Sequence, residues 1–330
     1  MNHLRPVRIS GTGSYLPEDI LTNEDFEKMV ETSDEWITTR TGIKERRIAA
    51  KGCATSDLAD AAARRALEDA GLDAGQIDLI IVATITPDTL LPSAACWLQA
   101  KLEAWNAGAF DLAAACSGFV YGASVAWQFV GSGMYDHVLV VGAECLTRFT
   151  NYKDRSSCIL FGDGAGAAVF SPGDDADSGI LYGTLGADGR GAEIMTTPAG
   201  GSRRPATRQT VDNMEHCMII QGRETYKFAV QKMADLVAGG LEAVGMTTAD
   251  LKWIIPHQVN TRILEGAAKR LGIPLEEIYI NIDRVGNTSA ASVPIALDEA
   301  SRKGLLHRGD VVALVAFGGG LSWASMILRW

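Results

Sequence analysis

The sequence lacks the features that mark several common classes of protein. Among its 330 residues, no apolar run reaches the roughly 18 residues that a membrane-spanning helix needs. The N-terminal stretch MNHLRPVRIS has no hydrophobic core like that of a signal peptide. The six cysteines form no CxxC pair and show no paired spacing, so neither a metal site nor a disulfide framework is indicated. We therefore expect a cytoplasmic protein with reduced thiols and no membrane partner.

Positive charge and phosphate-binding motifs are also scarce. The net charge of −10 argues against a nucleic-acid partner, although a local basic patch could still hold an acidic one, because charges are screened beyond about 8–10 Å. The GTG at 11–13 lacks the third glycine of a dinucleotide loop, and we interpret it as a turn after a first strand. The Gly-rich run 162–170 has no Lys followed by Ser or Thr, so closely packed backbones explain its small residues better than a phosphate does.

What is present predicts an α/β protein of two parts. The length suggests about two domains, and apolar runs of strand length alternate with helix-periodic runs. The run HVLVVGAE, followed later by FGDGAGAAVF, resembles DVVALVAFGGGLSWASMILRW near the C-terminus. We predict two similar α/β halves, 1–171 and 172–330, joined through a segment whose residues 198–210 form a long exposed loop.

Local signals give the secondary structure that matters for the site. Helices are expected at 23–31 (capped by Thr22 or Asn23), 33–40 (capped by Ser33) and 56–70 (capped by Thr55 or Ser56), with further helices after Pro92, Gly222 and Asn260. Strands are expected at 78–84, 137–142, 251–256, 277–283 and 311–317.

The stretch Asp111–Phe119, DLAAACSGF, predicts a buried strand that ends at Cys116 and a helix that begins there. A thiol at a helix N-terminus faces unpaired backbone N–H groups. These groups would stabilise the thiolate by about 1 kcal/mol and move the pKa of the thiol from about 8.5 toward neutrality. A buried structural cysteine is an equally good interpretation of this stretch alone.

Three predicted strands end in a chemically unusual residue: Cys116, His257 and Asn287. Reactive groups collect at the carboxyl ends of strands in α/β sheets, and these residue types suit a nucleophile with two hydrogen-bond donors or a base. Each has a plainer interpretation, since His257 could be a core histidine and Asn287 a helix cap. The glycines at 318–320 could form a tight turn or bring N–H groups to an oxyanion.

The segment SDEWITTRTGIKERR places Trp36 and Arg40 four residues apart, on one face of a helix. This pair could stack on a nucleotide-like group. A solvated basic stretch with one packed tryptophan is the alternative.

Six motifs together resemble β-ketoacyl-ACP synthase III, the initiating condensing enzyme of type II fatty-acid synthesis, which has the thiolase fold. They are SDEWITTRTGIKERR, DLAAACSGF, FGDGAGAAVF, IIPHQVN, GNTSAASVPIAL and AFGGGLSWAS, and the likeness runs from about residue 7 to 330. In the related thiolases the three catalytic residues are Cys, His and Cys, and in the elongating synthases they are Cys, His and His. In this sequence Asn287 matches the position of the third catalytic residue. The departures are extra residues in 198–216 and Ser156 after Arg155, where some members carry Gly.

The resemblance implies an αβαβα fold and a role for each matched residue. It makes Cys116 the acyl acceptor, His257 and Asn287 the donors to an enolate, and the N–H groups of Cys116 and Gly319 the oxyanion hole. The implied CoA contacts are Thr32, Trp36, Arg40, Arg155, Gly222, Asn260 and Arg262. The implied ACP contacts are Lys227, Arg262, Lys269 and Arg270, which could instead be a solvated helix face. Leu91 and Leu160 match the acyl pocket, with Leu91 reaching across a homodimer.

The implied reaction joins an acyl-CoA primer to malonyl-ACP, so CoA is part of a substrate and no cofactor is needed. Two other functions stay open at this point. One is a related condensing enzyme of secondary metabolism that uses malonyl-CoA or another acceptor. The other is a silent scaffold that binds acyl carriers, which the intact Cys-His-Asn set disfavours.

Overall fold

Two large β-sheets, with helices between and outside them, form the structure together with two small two-stranded sheets, Asp19–Thr22 with Glu45–Ile48 and Met195–Thr196 with Ile219–Ile220. The structure is a computed structural model that describes residues 4–174 and 178–330. The strands are β1 (Val7–Tyr15), β2 (Asp19–Thr22), β3 (Glu45–Ile48), β4 (Leu79–Ala83), β5 (Gly108–Leu112), β6 (Val138–Cys145), β7 (Asp163–Pro172), β8 (Gly179–Ala187), β9 (Met195–Thr196), β10 (Ile219–Ile220), β11 (Leu251–Pro256), β12 (Val311–Gly318) and β13 (Ser322–Arg329). The α-helices are α1 (Asn23–Glu27), α2 (Asp34–Thr41), α3 (Thr55–Ala70), α4 (Ala94–Leu102), α5 (Gly118–Gly131), α6 (Arg208–Asp212), α7 (Gly222–Ala243), α8 (Thr261–Leu271), α9 (Ile282–Val285) and α10 (Ser292–Arg302). Of the helices in the described ranges, none combines the length and the apolar character needed to cross a membrane.

The two large sheets share one plan. The first has the order β1-β7-β6-β4-β5, with β4 parallel to β5 and β6 and with β7 antiparallel to its neighbours β6 and β1. The second has the order β11-β12-β13-β8, with one parallel pair followed by two antiparallel pairs. The antiparallel pair β6–β7 therefore corresponds to β12–β13, the two segments that the sequence comparison overlaid. The two similar halves are confirmed, and the boundary at 171/172 stays a prediction.

Helices separate and cover the sheets in five layers. Helices α3 and α4 pack on the outer face of the first sheet, α5 and α10 lie between the sheets, and α7 and α8 cover the second sheet. Three apolar clusters fill the spaces between these layers, and the central one joins both sheets through α5 and α10. This order is the predicted αβαβα arrangement, and it places the carboxyl ends of β4, β5, β11 and β12 around the site described below.

The predicted turn at GTG is wrong, because both glycines lie within β1. A Cβ on Gly11 would stand 2.4 Å from the Ala66 oxygen, and one on Gly13 would stand 2.3 Å from the Ala62 oxygen. Real Cβ atoms do not approach so closely, so any side chain at these positions would push α3 off the sheet. The glycines serve close helix-to-strand packing rather than a change of chain direction.

The strand predicted at 277–283 is also wrong. One isolated bridge joins Ile254 to Ile278, and the chain then turns into α9. The side chain of Gln258 takes the place of a strand backbone, since it donates to the Tyr279 oxygen (2.9 Å) and accepts from the Asn281 N–H (3.1 Å). A side chain that satisfies the backbone in this way leaves no pattern in the apolar residues.

The capping predictions were right for α1 and α2 and wrong for α3. Thr22 and Ser33 cap the first two helices as expected. Helix α3 has Ala54 at its N-cap, and the Ser56 hydroxyl donates to Asp88 instead (2.7 Å). The segment 200–209 is exposed as predicted, but it leads into the short helix α6 and is flanked by the small β9–β10 hairpin, neither of which was predicted.

Candidate active site

A cavity of about 380 Å³ opens where the two sheets meet. Its wall includes Cys116, His257 and Asn287, together with Gly318 and Gly319. The three predicted strand-end residues, far apart in the sequence, thus face one enclosed space. The volume falls in the range of small-molecule sites.

Cys116 lies in a tight turn rather than at a strand end. Strand β5 stops at Leu112, and Cys116 belongs to a single 3₁₀ turn, Ala115–Ser117, that precedes α5. The turn is held against the second half of the chain, since the Ser117 and Ser322 hydroxyls are 2.6 Å apart. The predicted strand-to-helix junction was therefore right in its order and wrong by a few residues in its bounds. The predicted burial of the strand was wrong, because every residue of β5 is exposed or half-buried.

The electrostatic prediction for Cys116 was wrong in sign. Burial raises the pKa of the Cys116 thiol to about 11, while the Ser289 hydroxyl and the residue's own N–H act in the opposite direction. A helix end contributes about 1 kcal/mol, or less than one pKa unit. That contribution is outweighed because the thiol sits in an enclosed site, before the first residue of α5 rather than in its first turn. The resting thiol is therefore protonated at neutral pH.

His257 follows β11 and is almost completely buried, with 1% of its surface exposed. Its Nδ1 lies 2.6 Å from the Ser292 hydroxyl, which also accepts the Gln258 N–H (3.3 Å). A hydroxyl that accepts an N–H has its own proton to give to Nδ1, and this favours the tautomer that carries its proton on Nε2. Burial lowers the pKa of His257 to about 3, so the ring is neutral. The edge of the ring meets Phe317 at a centroid distance of 5.8 Å.

Asn287 is held on both sides by backbone. Its N–H donates to the Leu160 oxygen (2.9 Å), and its own oxygen accepts the Gly162 N–H (3.0 Å). The side-chain Oδ1 accepts the Ser289 N–H (2.9 Å), so the amide is oriented with Nδ2 as the remaining donor. The alternative of a helix cap is wrong, because Thr288 is the N-cap of the turn Ser289–Ala291 and Ala291 that of the following helix. The Oδ1 bond closes a local turn to Ser289, and Nδ2 is left for another partner.

The end of β12 packs directly on the nucleophile turn. A Cβ on Gly318 would stand 2.7 Å from the Cys116 nitrogen, so only glycine fits between the two segments. Next along the chain, Gly319 also lines the cavity. Among the described residues, neither the Cys116 N–H nor the Gly319 N–H donates to a backbone oxygen. Two N–H groups at one wall can bind a developing oxyanion.

The residues predicted to contact CoA gather at the mouth of the cavity. Two guanidinium groups lie over the Trp36 ring, with the Arg40 carbon at 4.9 Å and the Arg155 carbon at 4.6 Å from its centroid. Asn260 caps α8 and donates to the Arg40 oxygen (2.8 Å), while Arg262 donates to the Thr39 oxygen (3.2 Å). These bonds join α8 to α2.

The remaining predicted contacts divide between the cavity and the surface. Gly222, Asn260 and Leu160 line the cavity. The Thr32 hydroxyl oxygen is buried and has no hydrogen-bond partner within the described ranges. Leu91 is 87% exposed and is not part of the cavity wall.

The basic residues predicted to contact ACP are all exposed: Lys227 in the first turns of α7, Arg262 in the first turn of α8, and Lys269 and Arg270 in the last turn of α8. Arg270 lies 3.6 Å from Asp235, a distance typical of a weak surface ion pair. Their exposure is compatible with a docking surface, and both the surface and its role stay predictions.

Several functional neighbours were missed by sequence reasoning. Ser289 and Ser292 stand in the quoted GNTSAAS motif, but nothing in its spacing reveals that one orients Asn287 and the other His257. Met195 and Ile219, on the paired strands β9 and β10, line the cavity, and neither of these strands on the two sides of the predicted 198–210 loop was expected. Glu144, at the end of β6, is fully buried, and burial raises its pKa to about 7. Among the described residues there is no cluster of metal-ligating side chains.

Known proteins with similar sequences and structures agree on one family. Family models described as 3-oxoacyl-(acyl-carrier-protein) synthase III and its C-terminal part match residues 110–189 and 241–330. A β-ketoacyl-(acyl-carrier-protein) synthase III from Caldanaerobacter subterraneus is 58% identical over 98% of this chain and 97% of that protein. The crystal structure of the synthase III from Aquifex aeolicus is 45% identical, covers 98% of this chain and 100% of that one, and superposes with a TM-score of 0.91. The priming β-ketosynthase of the R1128 polyketide pathway is 38% identical over 100% of this chain and 97% of that one, also with a TM-score of 0.91. The chain belongs to the β-ketoacyl-ACP synthase III family.

Proposed function

We propose that the chain condenses a primer acyl-CoA with malonyl-ACP, forming a β-ketoacyl-ACP and releasing CoA and CO2. The observation that carries this proposal is the meeting of one thiol, one neutral imidazole and one oriented amide in a single cavity. The six cysteines are all unpaired thiols, which fits a cytoplasmic location. CoA enters as part of the substrate, so the reaction calls for no bound cofactor.

In the first half-reaction, Cys116 Sγ attacks the thioester carbonyl of the primer. The new bond is the Cys116 thioester, and the bond that breaks is the one to the CoA sulfur. The thiol proton leaves with CoA, so the step creates no net charge. This balance suits a site in which the raised pKa of Cys116 and the lowered pKa of His257 both favour neutral groups.

In the second half-reaction, the malonyl thioester loses CO2 and becomes an enolate. The enolate oxygen needs hydrogen-bond donors. His257 Nε2 and Asn287 Nδ2 each donate a hydrogen bond without carrying a formal positive charge. A charged imidazolium would compete for the malonyl carboxylate and hold it in place. The neutral His257 ring polarises the thioester oxygen and leaves the carboxylate free to depart as CO2.

The enolate carbon then attacks the Cys116 thioester. The tetrahedral oxyanion would be held by the N–H groups of Cys116 and Gly319. Its collapse breaks the bond to Cys116 Sγ and frees the product, and the thiolate that leaves takes up one proton from solvent to regenerate the thiol. Loss of one such donor typically costs about 3–4 kcal/mol of barrier.

CoA binding requires a movement of Arg155. A base that stacks on Trp36 needs about 3.5 Å on each of its faces, or about 7 Å between the ring and a second stacked plane. The Arg155 guanidinium lies 4.6 Å from the Trp36 centroid, which leaves no room for a base. We expect Arg155 to swing outward and to cover the far face of the adenine.

The exposed basic residues of α7 and α8 suit an acidic carrier protein. Arg262 and Lys269 are seven residues apart on α8, so they share a helical face on a chain of net charge −10. Charge reversal at both positions should weaken ACP binding, and less so at high salt. An unchanged affinity for ACP would reject this docking surface.

Leu91 does not line the cavity of its own chain, and in a homodimer it would instead line the acyl pocket of the second copy. Leu90 and Leu91 are 91% and 87% exposed, and Trp105 is 68% exposed. Strand β5 lies at the edge of the first sheet, where its outer side has no strand partner among the described residues. An apolar surface beside an open sheet edge favours pairing with a second copy.

The test follows the two half-reactions separately. Cys116→Ala should abolish acyl transfer and leave the fold intact, because the change is small. His257→Ala and Asn287→Ala should slow the decarboxylation of malonyl-ACP far more than the acylation of Cys116 by acyl-CoA, as measured by mass spectrometry. Absence of a β-ketoacyl product with every short and branched primer would refute the proposed function.

A second candidate is a priming enzyme of a specialised pathway. It is favoured by the 38% identity to the priming β-ketosynthase of a polyketide pathway. A panel of acyl-CoA primers, each assayed with malonyl-ACP and with malonyl-CoA, separates the two functions. Preference for malonyl-CoA or for a long primer would support the second.

A further inference from the structure

Arg46, on β3, is the largest fully buried side chain of the structure, with 0% of its surface exposed. Within the described ranges, no carboxylate lies at ion-pair distance from it. Burial lowers its pKa to about 10, so it still carries its charge at neutral pH. An unpaired buried cation is costly, and fold stability alone does not explain it.

Neutral oxygens and an aromatic ring surround the guanidinium. Nε and Nη2 both donate to the Ile159 oxygen, with Nε at 3.0 Å. Nη1 donates to Asn23 Oδ1 (2.7 Å), and the Phe26 ring lies 4.5 Å from the guanidinium carbon. Two parallel donors on one carbonyl fix the direction of that carbonyl as well as its position.

That carbonyl belongs to the segment that holds Asn287. Leu160, directly after Ile159, accepts the Asn287 N–H, and Gly162 donates to the Asn287 oxygen. The stem of Arg46 also contacts this region, since a Cβ on Gly286 would stand 3.0 Å from Arg46 Cγ. One residue thus touches both the segment beside Asn287 and the residue that precedes it.

We propose that Arg46 is a positioning residue for Asn287: its guanidinium fixes Ile159–Gly162, and this segment fixes the amide that faces the enolate. The inference rests on the proposed function, in which Asn287 donates to that enolate. It predicts that decarboxylation depends on the two parallel N–H groups of the guanidinium and not on its charge alone. Lysine keeps the charge but cannot place two parallel N–H groups on one oxygen.

The test compares Arg46→Lys with Arg47→Lys, a control on the same strand whose side chain lies 25% exposed beside Glu45. Arg46→Lys should slow malonyl-ACP decarboxylation on the order of tenfold, since small displacements of a positioned group cost about this much or more. Acylation of Cys116 should stay within about twofold of the parent. Arg47→Lys should change neither rate.

A double variant separates positioning from general loosening of the fold. In an Asn287→Ala background, Arg46→Lys should slow decarboxylation no further, because the group that it positions is gone. Equal loss in both half-reactions, or a full additional loss in that background, would overturn the inference. If Asn287→Ala alone leaves decarboxylation unchanged, the proposed function fails instead. Should Arg46→Lys fold poorly, Asn23→Ala removes the Nη1 acceptor, together with Nδ2 bonds to Asp34, Thr38 and the Ile43 oxygen that do not involve Ile159–Gly162. A folded Asn23→Ala variant must show the same selectivity for decarboxylation, in weaker form.

Discussion

Substitution of Gly318 by alanine probes the contact between β12 and the nucleophile turn. The added Cβ would stand 2.7 Å from the Cys116 nitrogen and 3.0 Å from the Cys116 Cβ. Because Gly318 has ordinary strand dihedrals, the backbone itself is not strained by the change. The conflict must be relieved by a shift of several tenths of an ångström, and the first atoms in its path belong to Cys116.

The expected loss follows from what that shift disturbs. It displaces the attacking sulfur and one of the two oxyanion donors, and loss of one donor costs about 3–4 kcal/mol, or roughly 10²–10³ in rate. Gly319→Ala is the matched control, because its nearest contact would be an ordinary 3.4 Å to the Met195 Cβ. We expect acylation of Cys116 to fall about a hundredfold in the first variant and by less than about fivefold in the second.

Intact-mass spectrometry over a time course with acyl-CoA measures the acylation rate directly. Thermal unfolding of the same samples checks that both variants are folded. Acylation of Gly318→Ala at the parental rate would refute the packing argument. Equal losses in the two glycine variants would show that the loop tolerates no side chain at all, for a reason other than contact with Cys116.

Three further predictions concern the buried polar groups. Ser292→Ala removes the partner of His257 Nδ1, so decarboxylation should fall about tenfold while acylation is largely kept; parental decarboxylation would exclude an orienting role. The pKa of His257 is lowered from 6.5 to about 3, so the unfolded chain takes up a proton that the folded chain does not, and stability falls as pH falls through this window. Urea unfolding should show His257→Gln losing less stability than the parent between pH 6.5 and 5, by about 2 kcal/mol at about 1.4 kcal/mol per pH unit. The pKa of Glu144 is raised from 4.5 to about 7, so its contribution to the free energy of unfolding is lost as pH rises through this window. Glu144→Gln should therefore make the free energy of unfolding decline less between pH 5 and 7. In either variant, a parental dependence of the free energy of unfolding on pH would contradict the pKa shift of that residue.

The sequence identified the residues of the site better than their surroundings. His257 follows an apolar run that forms the buried strand β11, as continuous hydrophobicity predicts. Cys116 and Asn287 line the same cavity although a 3₁₀ turn and the helix α9, respectively, replace the predicted strand ends. The layer order could be anticipated from apolar runs of the same kind. The sign of the Cys116 pKa shift could not, since it depends on how completely the folded chain encloses the thiol.

Contacts through single side chains also escaped prediction. Gln258 replaces a strand that apolar alternation favoured, and Ser292 orients His257 from a motif that reads equally well as the start of a helix. Arg46 stands in a run of charged residues that looks solvated, yet it is fully buried. Periodicity describes which faces are apolar, whereas these roles depend on which polar atoms meet after folding.

The bond between the Ser117 and Ser322 hydroxyls spans 205 positions of the chain. The turn that carries the nucleophile is therefore completed by a strand that is synthesised 205 positions later, after everything between them has been made. Contacts of such long sequence separation close late, because their loop entropy must be offset by structure formed earlier. Catalytic competence should consequently return after helical content during refolding. The time at which Cys116 can again be acylated would therefore report when the two halves dock.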